Sequence, residues 1–149
     1  MKNSMRCGEC GEKKLERVNV NGKFSAPYLD YPRAYLTTDL ILPVCQNCGN
    51  HGIENNDAEN IDHAMEESVR DQASQFLETI KARADVTGMR LAYILGVTPE
   101  YISIIQNKKK TPSFHFWNIL RYFAKHPDRI STELDPLTDV RSENLLRRA

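Results

Sequence analysis

The chain lacks any apolar run approaching the roughly 20 residues a membrane-spanning helix needs, and 27% of its residues are charged, so no membrane residence is expected. Its first residues, MKNSMRCGEC, lack the apolar stretch of a secretory signal, which makes the cytoplasm the expected compartment. Net charge is also missing: 20 Lys/Arg offset 20 Asp/Glu, which argues against non-specific coating of nucleic acid. No Ser/His/Asp or paired-carboxylate grouping stands out, and His63, His115 and His126 are scattered, so no enzyme is expected. A length of 149 residues accommodates one ordinary domain or two small ones.

The balanced total conceals an asymmetry. Residues 1–68 hold seven Lys/Arg against eleven Asp/Glu, residues 69–129 ten against five, and residues 130–149 three against four, giving −4, +5 and −1. A basic middle piece between acidic ones points to one module that meets an anion and another with a different task.

Cysteine is scarce but patterned. Cys7-Gly8-Glu9-Cys10-Gly11 and Cys45-Gln46-Asn47-Cys48-Gly49 are two CxxC pairs, each followed by glycine and separated by 34 residues. In a reducing compartment such cysteines bind metal or do redox chemistry more often than they form structural disulfides. A knuckle presents two thiolates from one tight turn, and the glycine after it permits the positive φ that lets backbone N–H groups point at sulfur. Two knuckles make a closed tetrahedral site, so the expected cofactor is a structural zinc ion held by Cys7, Cys10, Cys45 and Cys48. Two unrelated reducible thiol pairs, an iron centre, and a zinc or thiol oxidoreductase using CxxC are the competing readings. His51, three residues after Cys48, is either a substitute ligand or a loop histidine.

Between the knuckles, Leu15 to Val20 alternates in the strand manner, Asn21-Gly22 signals a hairpin, and Phe24 begins a second extended stretch. Tyr28, Tyr31, Tyr35 and Leu40-Ile41-Leu42 read as further strand, with Pro27, Pro32 and Pro43 at turns or edges. The tyrosines either cover a small sheet or form an exposed binding surface. Glu54 to Val86 contains no proline or glycine and is rich in helix formers; Asp57 is a suitable N-cap. Ile61, Met65, Val69, Ala73, Phe76, Ile80 and Ala84 recur at spacings of three and four along one face of a long helix, either continuous or broken near Ser68. That face packs within the chain or against a second copy.

From Asp85 to Pro127 the helix punctuation is dense. Thr87 is a good N-cap, Met89 to Leu95 a short helix, and Gly96-Val97 a turn whose glycine suits the positive φ of a helix C-terminus. Thr98-Pro99 restarts a helix with an N-cap and a first-turn proline, and Ile102 and Ile105 face inward. Such a two-helix unit is what a helix-turn-helix requires to present its second helix. Lys108-Lys109-Lys110 follow immediately, placed for phosphates, and a final amphipathic helix, Phe114 to His126, has Phe116, Ile119, Leu120 and Phe123 on its buried side.

The stretch TGMRLAYILGVTPEYISIIQNKKKTPS resembles the Xre or Cro type of helix-turn-helix, and RYFAKHPDRI after a CxxC…CxxC module resembles the MqsA (YgiT-type) antitoxins, over roughly residues 5–130. The resemblance implies a zinc-binding N-terminal domain joined to a DNA-binding, dimer-forming C-terminal one. It also implies a cognate ribonuclease toxin bound through the zinc module, and repression of the protein's own operon at a palindromic operator. The cysteines would be the ligands, and Thr98, Glu100, Tyr101, Ser103 and Ile104 the exposed face of the recognition helix. Thr87, Arg90, Asn107, Lys108, Lys109 and Lys110 complete the candidate DNA contacts. The chain has Gly88 where such modules often open with glutamine, and Glu100 and Ile104 where polar or basic residues commonly read bases; glutamate can accept from cytosine N4 and isoleucine can touch a thymine methyl.

The expected fold is therefore α+β: a small zinc-ribbon β module (1–53), a helical linker (54–68), an all-α helix-turn-helix domain (69–130) and a C-terminal arm (131–149). The expected function is a transcriptional repressor, an antitoxin of a toxin-antitoxin system, working as a homodimer on double-stranded DNA. A stand-alone prophage or mobile-element regulator and a zinc-ribbon protein-interaction adaptor are the alternatives. In the arm, Leu134, Leu137, Val140, Leu145 and Leu146 suggest a short helix or a disordered tail.

Overall fold

The computed structural model describes residues 5–130, so the arm and its leucines lie outside the described residues. Among the described residues, a small antiparallel β region of two two-stranded sheets is followed by four helices. The chain forms two compact units whose boundary falls between Val69 and Arg70, inside the first helix. Among the described residues no helix is long and apolar enough to cross a membrane.

In the first unit, β1 (Leu15–Asn19) pairs with β4 (Ile41–Cys45), Leu15 opposite Cys45 and Asn19 opposite Ile41. Between them β2 (Ser25–Tyr28) and β3 (Tyr31–Tyr35) pair with each other. The strand expected from Leu15 is present, but the Asn21-Gly22 turn does not pair the strands that flank it. Gly22 takes a φ of 72°, and the Lys23 N–H closes the turn on the Val20 carbonyl at 2.9 Å. The Asn19 side chain, however, accepts from the N–H groups of both Asn21 (3.0 Å) and Leu40 (3.3 Å), and the Val20 N–H donates to the Leu40 carbonyl at 2.8 Å. These bonds commit β1 to the segment leading into β4, and the intervening chain folds as its own nested hairpin. Of the prolines expected at turns or edges, Pro27 and Pro32 lie in a two-stranded sheet, where each strand has an edge that tolerates a missing N–H, and Pro43 lies in β4, its carbonyl accepting the Gly52 N–H at 2.7 Å.

The buried residues of this unit include Val20, Tyr31, Leu36, Leu40 and Leu42 from the β region and Ala64, Met65 and Val69 from α1 (Asp57–Ala84). The tyrosines divide: Tyr31 is buried, Tyr28 half-buried and Tyr35 54% exposed. Asp57, expected as an N-cap, is the first residue of α1; its buried carboxylate accepts from Arg17 Nη2 at 2.8 Å and from the Glu54 N–H at 3.0 Å. Of the two readings of this stretch, α1 follows the continuous one and runs through Ser68 without a break. The buried Ser68 hydroxyl donates to the Ala64 carbonyl at 2.7 Å and accepts the Thr37 N–H at 2.9 Å, which satisfies it without opening the helix.

In the second unit, the rest of α1 is followed by α2 (Gly88–Leu95), α3 (Pro99–Gln106), α4 (Phe114–Lys125) and a 3₁₀ turn, Pro127–Arg129. Along α1, Met65, Val69, Ala73 and Ile80 are buried as the periodicity requires, while Ile61, Phe76 and Ala84 are half-buried. Leu77 takes the fully buried place next to Phe76, four residues after Ala73 and three before Ile80. The Thr87, Thr98 and Ser113 hydroxyls each cap a helix, accepting from the N–H of Arg90, Tyr101 and Phe116 at 3.1 to 3.2 Å. Leu91, Ala92, Ile102, Ile105, Leu120 and Ile130 are buried. In α4, Trp117 joins Phe116, Leu120 and Phe123 on the buried side, and Ile119, expected there, is 44% exposed.

Candidate metal centre and candidate nucleic-acid interface

The β1–β4 ladder explains why cysteines distant in sequence meet. One knuckle precedes β1 and the other ends β4; Leu15 lies opposite Cys45, and the Gln46 N–H donates to the Lys14 carbonyl at 2.8 Å. Each knuckle repeats one local pattern. The Gly11 N–H donates to the Cys7 carbonyl at 2.9 Å and the Gly49 N–H to the Cys45 carbonyl at 2.8 Å; the Cys7 and Cys45 N–H groups in turn reach the Glu12 and Asn50 carbonyls at 2.9 and 2.8 Å. Both closing glycines have positive φ, 73° and 75°.

The four sulfur atoms lie within 4.8 Å of one another, with Cys7 Sγ 3.5 Å from Cys48 Sγ and Cys10 Sγ 3.6 Å from Cys45 Sγ. A disulfide would bring a pair to about 2.05 Å. Four thiolates on a tetrahedron of about 2.3 Å metal–sulfur bonds stand about 3.8 Å apart, so this cage needs only slight expansion to hold one ion with no position left for water. The site is thus a possible metal site whose donors and spacing are compatible with structural zinc.

Its electrostatics favour thiolates at the buried corners. The backbone N–H groups of Cys10 and then Glu9 lower the Cys7 thiol to about 6 against the burial that raises it. Cys45 is lowered chiefly by the Cys48 N–H. The Asn50 N–H pulls Cys48 down, but burial and the three neighbouring sulfurs outweigh it and raise this thiol to about 12. Several negative sulfurs cannot share so small a volume without a cation, which is the condition a bound metal relieves. His51 is not part of the group of metal-ligating side chains; it bridges to Val44 across the ladder, its ring edge-on to Phe24 at 5.2 Å.

In the second unit, Gly96 makes the elbow between α2 and α3. Its φ is 67°, and the Val97 N–H returns to the Ala92 carbonyl at 3.0 Å. With Ile102 and Ile105 inward, Glu100, Ser103 and Ile104 lie exposed on one face of α3, continued by the exposed C-cap Asn107. Asn107 Nδ2 donates to the Ser103 carbonyl at 2.9 Å and to its hydroxyl at 3.3 Å.

The other candidate contacts are placed less uniformly. Thr87 and Thr98 are exposed, but their oxygens accept cap bonds. The exposed Arg90 guanidinium lies 5.9 Å from the Tyr93 ring centre. Tyr101, expected on the exposed face, is half-buried with its ring edge-on to Phe116 at 5.1 Å, and burial raises its phenol. Lys110 Nζ lies 5.6 Å from that ring, Lys109 is exposed, and Lys108 pairs with Asp71 at 2.8 Å. Sequence reasoning missed the α1 side chains that hold the end of α3 (Ser74 and Lys81, on Gln106) and the loop after it (Arg70 and Asp71), because single polar residues on a helix face carry no pattern of their own.

No family model matches the chain, and no curated protein matches it.

Proposed function

We propose that this chain is a sequence-specific double-stranded-DNA-binding transcriptional regulator, a repressor, whose four-cysteine centre holds a structural zinc ion. The observation that carries this reading is the exposed face of Glu100, Ser103 and Ile104, continued by Asn107, on a helix held by the Gly96 elbow, with Lys109 and Lys110 at its end. A carboxylate, a hydroxyl, a methyl-bearing side chain and an amide are the groups that discriminate base edges in the major groove, while ammonium groups engage phosphates. The basic charge of residues 69–129 suits the same partner.

The mechanism is steric. A two-fold homodimer sets two copies of α3 into successive major grooves about 34 to 36 Å apart on a palindromic operator and blocks access to it. No bond is made or broken, so no residue has a catalytic role. The zinc ion would cross-link the two knuckles and keep the first unit folded. The resemblance to MqsA-type antitoxins extends the proposal to a cytoplasmic antitoxin that binds a ribonuclease toxin through the metal module and represses its own operon. A cleft of about 820 Å³ beside the Cys7 knuckle, bordered by the exposed Met5 and Ile53, favours a protein partner for that module. It equally favours the adaptor reading, in which pull-down succeeds without any gel shift.

Two classes of variant test the assignment in titrations at several salt concentrations. Lys109→Ala is expected to weaken binding to every duplex and to reduce the salt slope by about one unit. Ser103→Ala or Glu100→Gln is expected to change base preference by roughly 1 to 3 kcal/mol at one position. Equal losses on cognate and scrambled duplexes for both classes would contradict the assignment.

A further inference from the structure

The three lysines after α3 are not equivalent. Lys108 has a φ of 59°, in the left-handed region that residues with a Cβ avoid and that a helix C-terminus normally gives to glycine or asparagine. The surrounding bonds are those of a Schellman ending: the Lys108 N–H donates to the Ile105 carbonyl at 3.0 Å and the Lys109 N–H to the Ile104 carbonyl at 3.0 Å. A lysine at such a position needs a compensating use for its side chain.

That use is visible. Lys108 Nζ meets Asp71 Oδ1 at 2.8 Å, with Asp71 only 25% exposed. The adjacent Arg70 straddles the same loop, its Nε donating to Thr111 Oγ1 at 3.0 Å and its Nη1 to the Lys108 carbonyl at 3.5 Å. One turn further along α1, the buried Ser74 hydroxyl donates to the Gln106 carbonyl at 2.8 Å, and two turns beyond that Lys81 Nζ donates to Gln106 Oε1 at 2.9 Å. Four α1 side chains therefore grip residues 106–111, while Lys109 and Lys110 are exposed between the grips.

We infer that Arg70, Asp71 and Lys108 form a clasp that positions this loop, so that Lys109 and Lys110 are the anion-facing cations and Lys108 is a positioning residue. The role given to Lys109 and Lys110 rests on the DNA-binding reading above; the clasp itself does not.

The test uses the full-length, zinc-loaded protein and two readouts. The first is limited trypsinolysis, followed by mass spectrometry at the Lys109–Lys110 and Lys110–Thr111 bonds. Lys108→Asn keeps a side chain that tolerates positive φ but removes the ammonium group and its reach to Asp71; it and Asp71→Asn are each expected to speed cleavage about two- to five-fold, as loss of a part-exposed ion pair allows. The charge-swapped pair Asp71→Lys with Lys108→Asp is expected to restore the wild-type rate. The second readout is the salt dependence of binding to duplex DNA. Lys108→Asn should leave the slope unchanged, whereas Lys109→Asn and Lys110→Asn should each reduce it by about 0.9.

Unchanged cleavage in the single variants, or no recovery in the swapped pair, overturns the clasp. A slope reduced by Lys108→Asn as much as by Lys109→Asn overturns the division of the lysines. Wild-type protein that binds no duplex at all refutes the DNA-binding reading and with it the role of Lys109 and Lys110, and the trypsin readout still decides the clasp.

Discussion

Removing the metal should unfold the first unit and spare the second. Beyond a small core of β-region residues with Ala64, Met65 and Val69 of α1, the first unit has little else to hold it: its sheets among the described residues are both two-stranded, and such sheets are marginal in water on their own. At about 0.05 to 0.15 kcal/mol per residue, a unit of this size has only a few to about ten kcal/mol of stability in all. A metal ion that joins Cys10 to Cys45 closes a loop with 34 residues between its ends, and a cross-link of that span removes about 4 kcal/mol of conformational entropy from the unfolded chain. Losing it takes away a large part of what the unit has, and the uncompensated thiolates add to the deficit. The second unit has its own core, with Leu91, Ile102, Ile105 and Leu120 wholly or almost wholly buried, and among its described residues it supplies no ligand to the cage. Hydrogen exchange read by mass spectrometry, with and without chelator under reducing conditions, separates the two. Peptides from β1 and β4 are expected to lose protection, and those from α2 and α3 to keep it. Full protection of β4 in protein shown to be metal-free would refute the reasoning, and so would loss of protection in both units at once.

Metal affinity should rise with pH. Cys48, raised to about 12, must give up its proton to become a ligand, so log affinity should climb by at least about one per pH unit around neutrality; a flat profile in metal-competition titrations would exclude thiolate ligation by that residue. Gly96→Ala should destabilise the second unit by about 1 to 2 kcal/mol. No atom lies within 4 Å of the added Cβ, so the whole effect comes from the 67° φ; an unchanged midpoint of thermal unfolding would mean that the α2–α3 elbow does not need that backbone.

The features legible in the sequence are those whose chemistry is local. The two CxxC-Gly runs specify the knuckles because ligands, turn and positive φ all fall within five residues, and the cage follows once β1 meets β4. Thr87, Gly96, Thr98 with Pro99, and Ser113 punctuate the helices for the same reason. Choices between competing partners were not legible. Asn21-Gly22 is a good turn wherever β1 finds its neighbour, and Asn19 and Leu40 decide that neighbour from 21 positions apart. The resemblance read from the sequence implied an outward-facing Tyr101 on α3, but Phe116, from a later helix, draws its ring inward. Lys108 reads as one of three equal charges until Asp71, far back in α1, is found beside it.

The most direct test of the proposed function is selection from a random duplex library by the full-length, zinc-loaded protein at low ionic strength. The expected result is enrichment of an inverted repeat whose half-sites are about one helical turn apart, with retention falling steeply as salt is raised. Recovery of no duplex above background, or of sequences without any repeat, would contradict it.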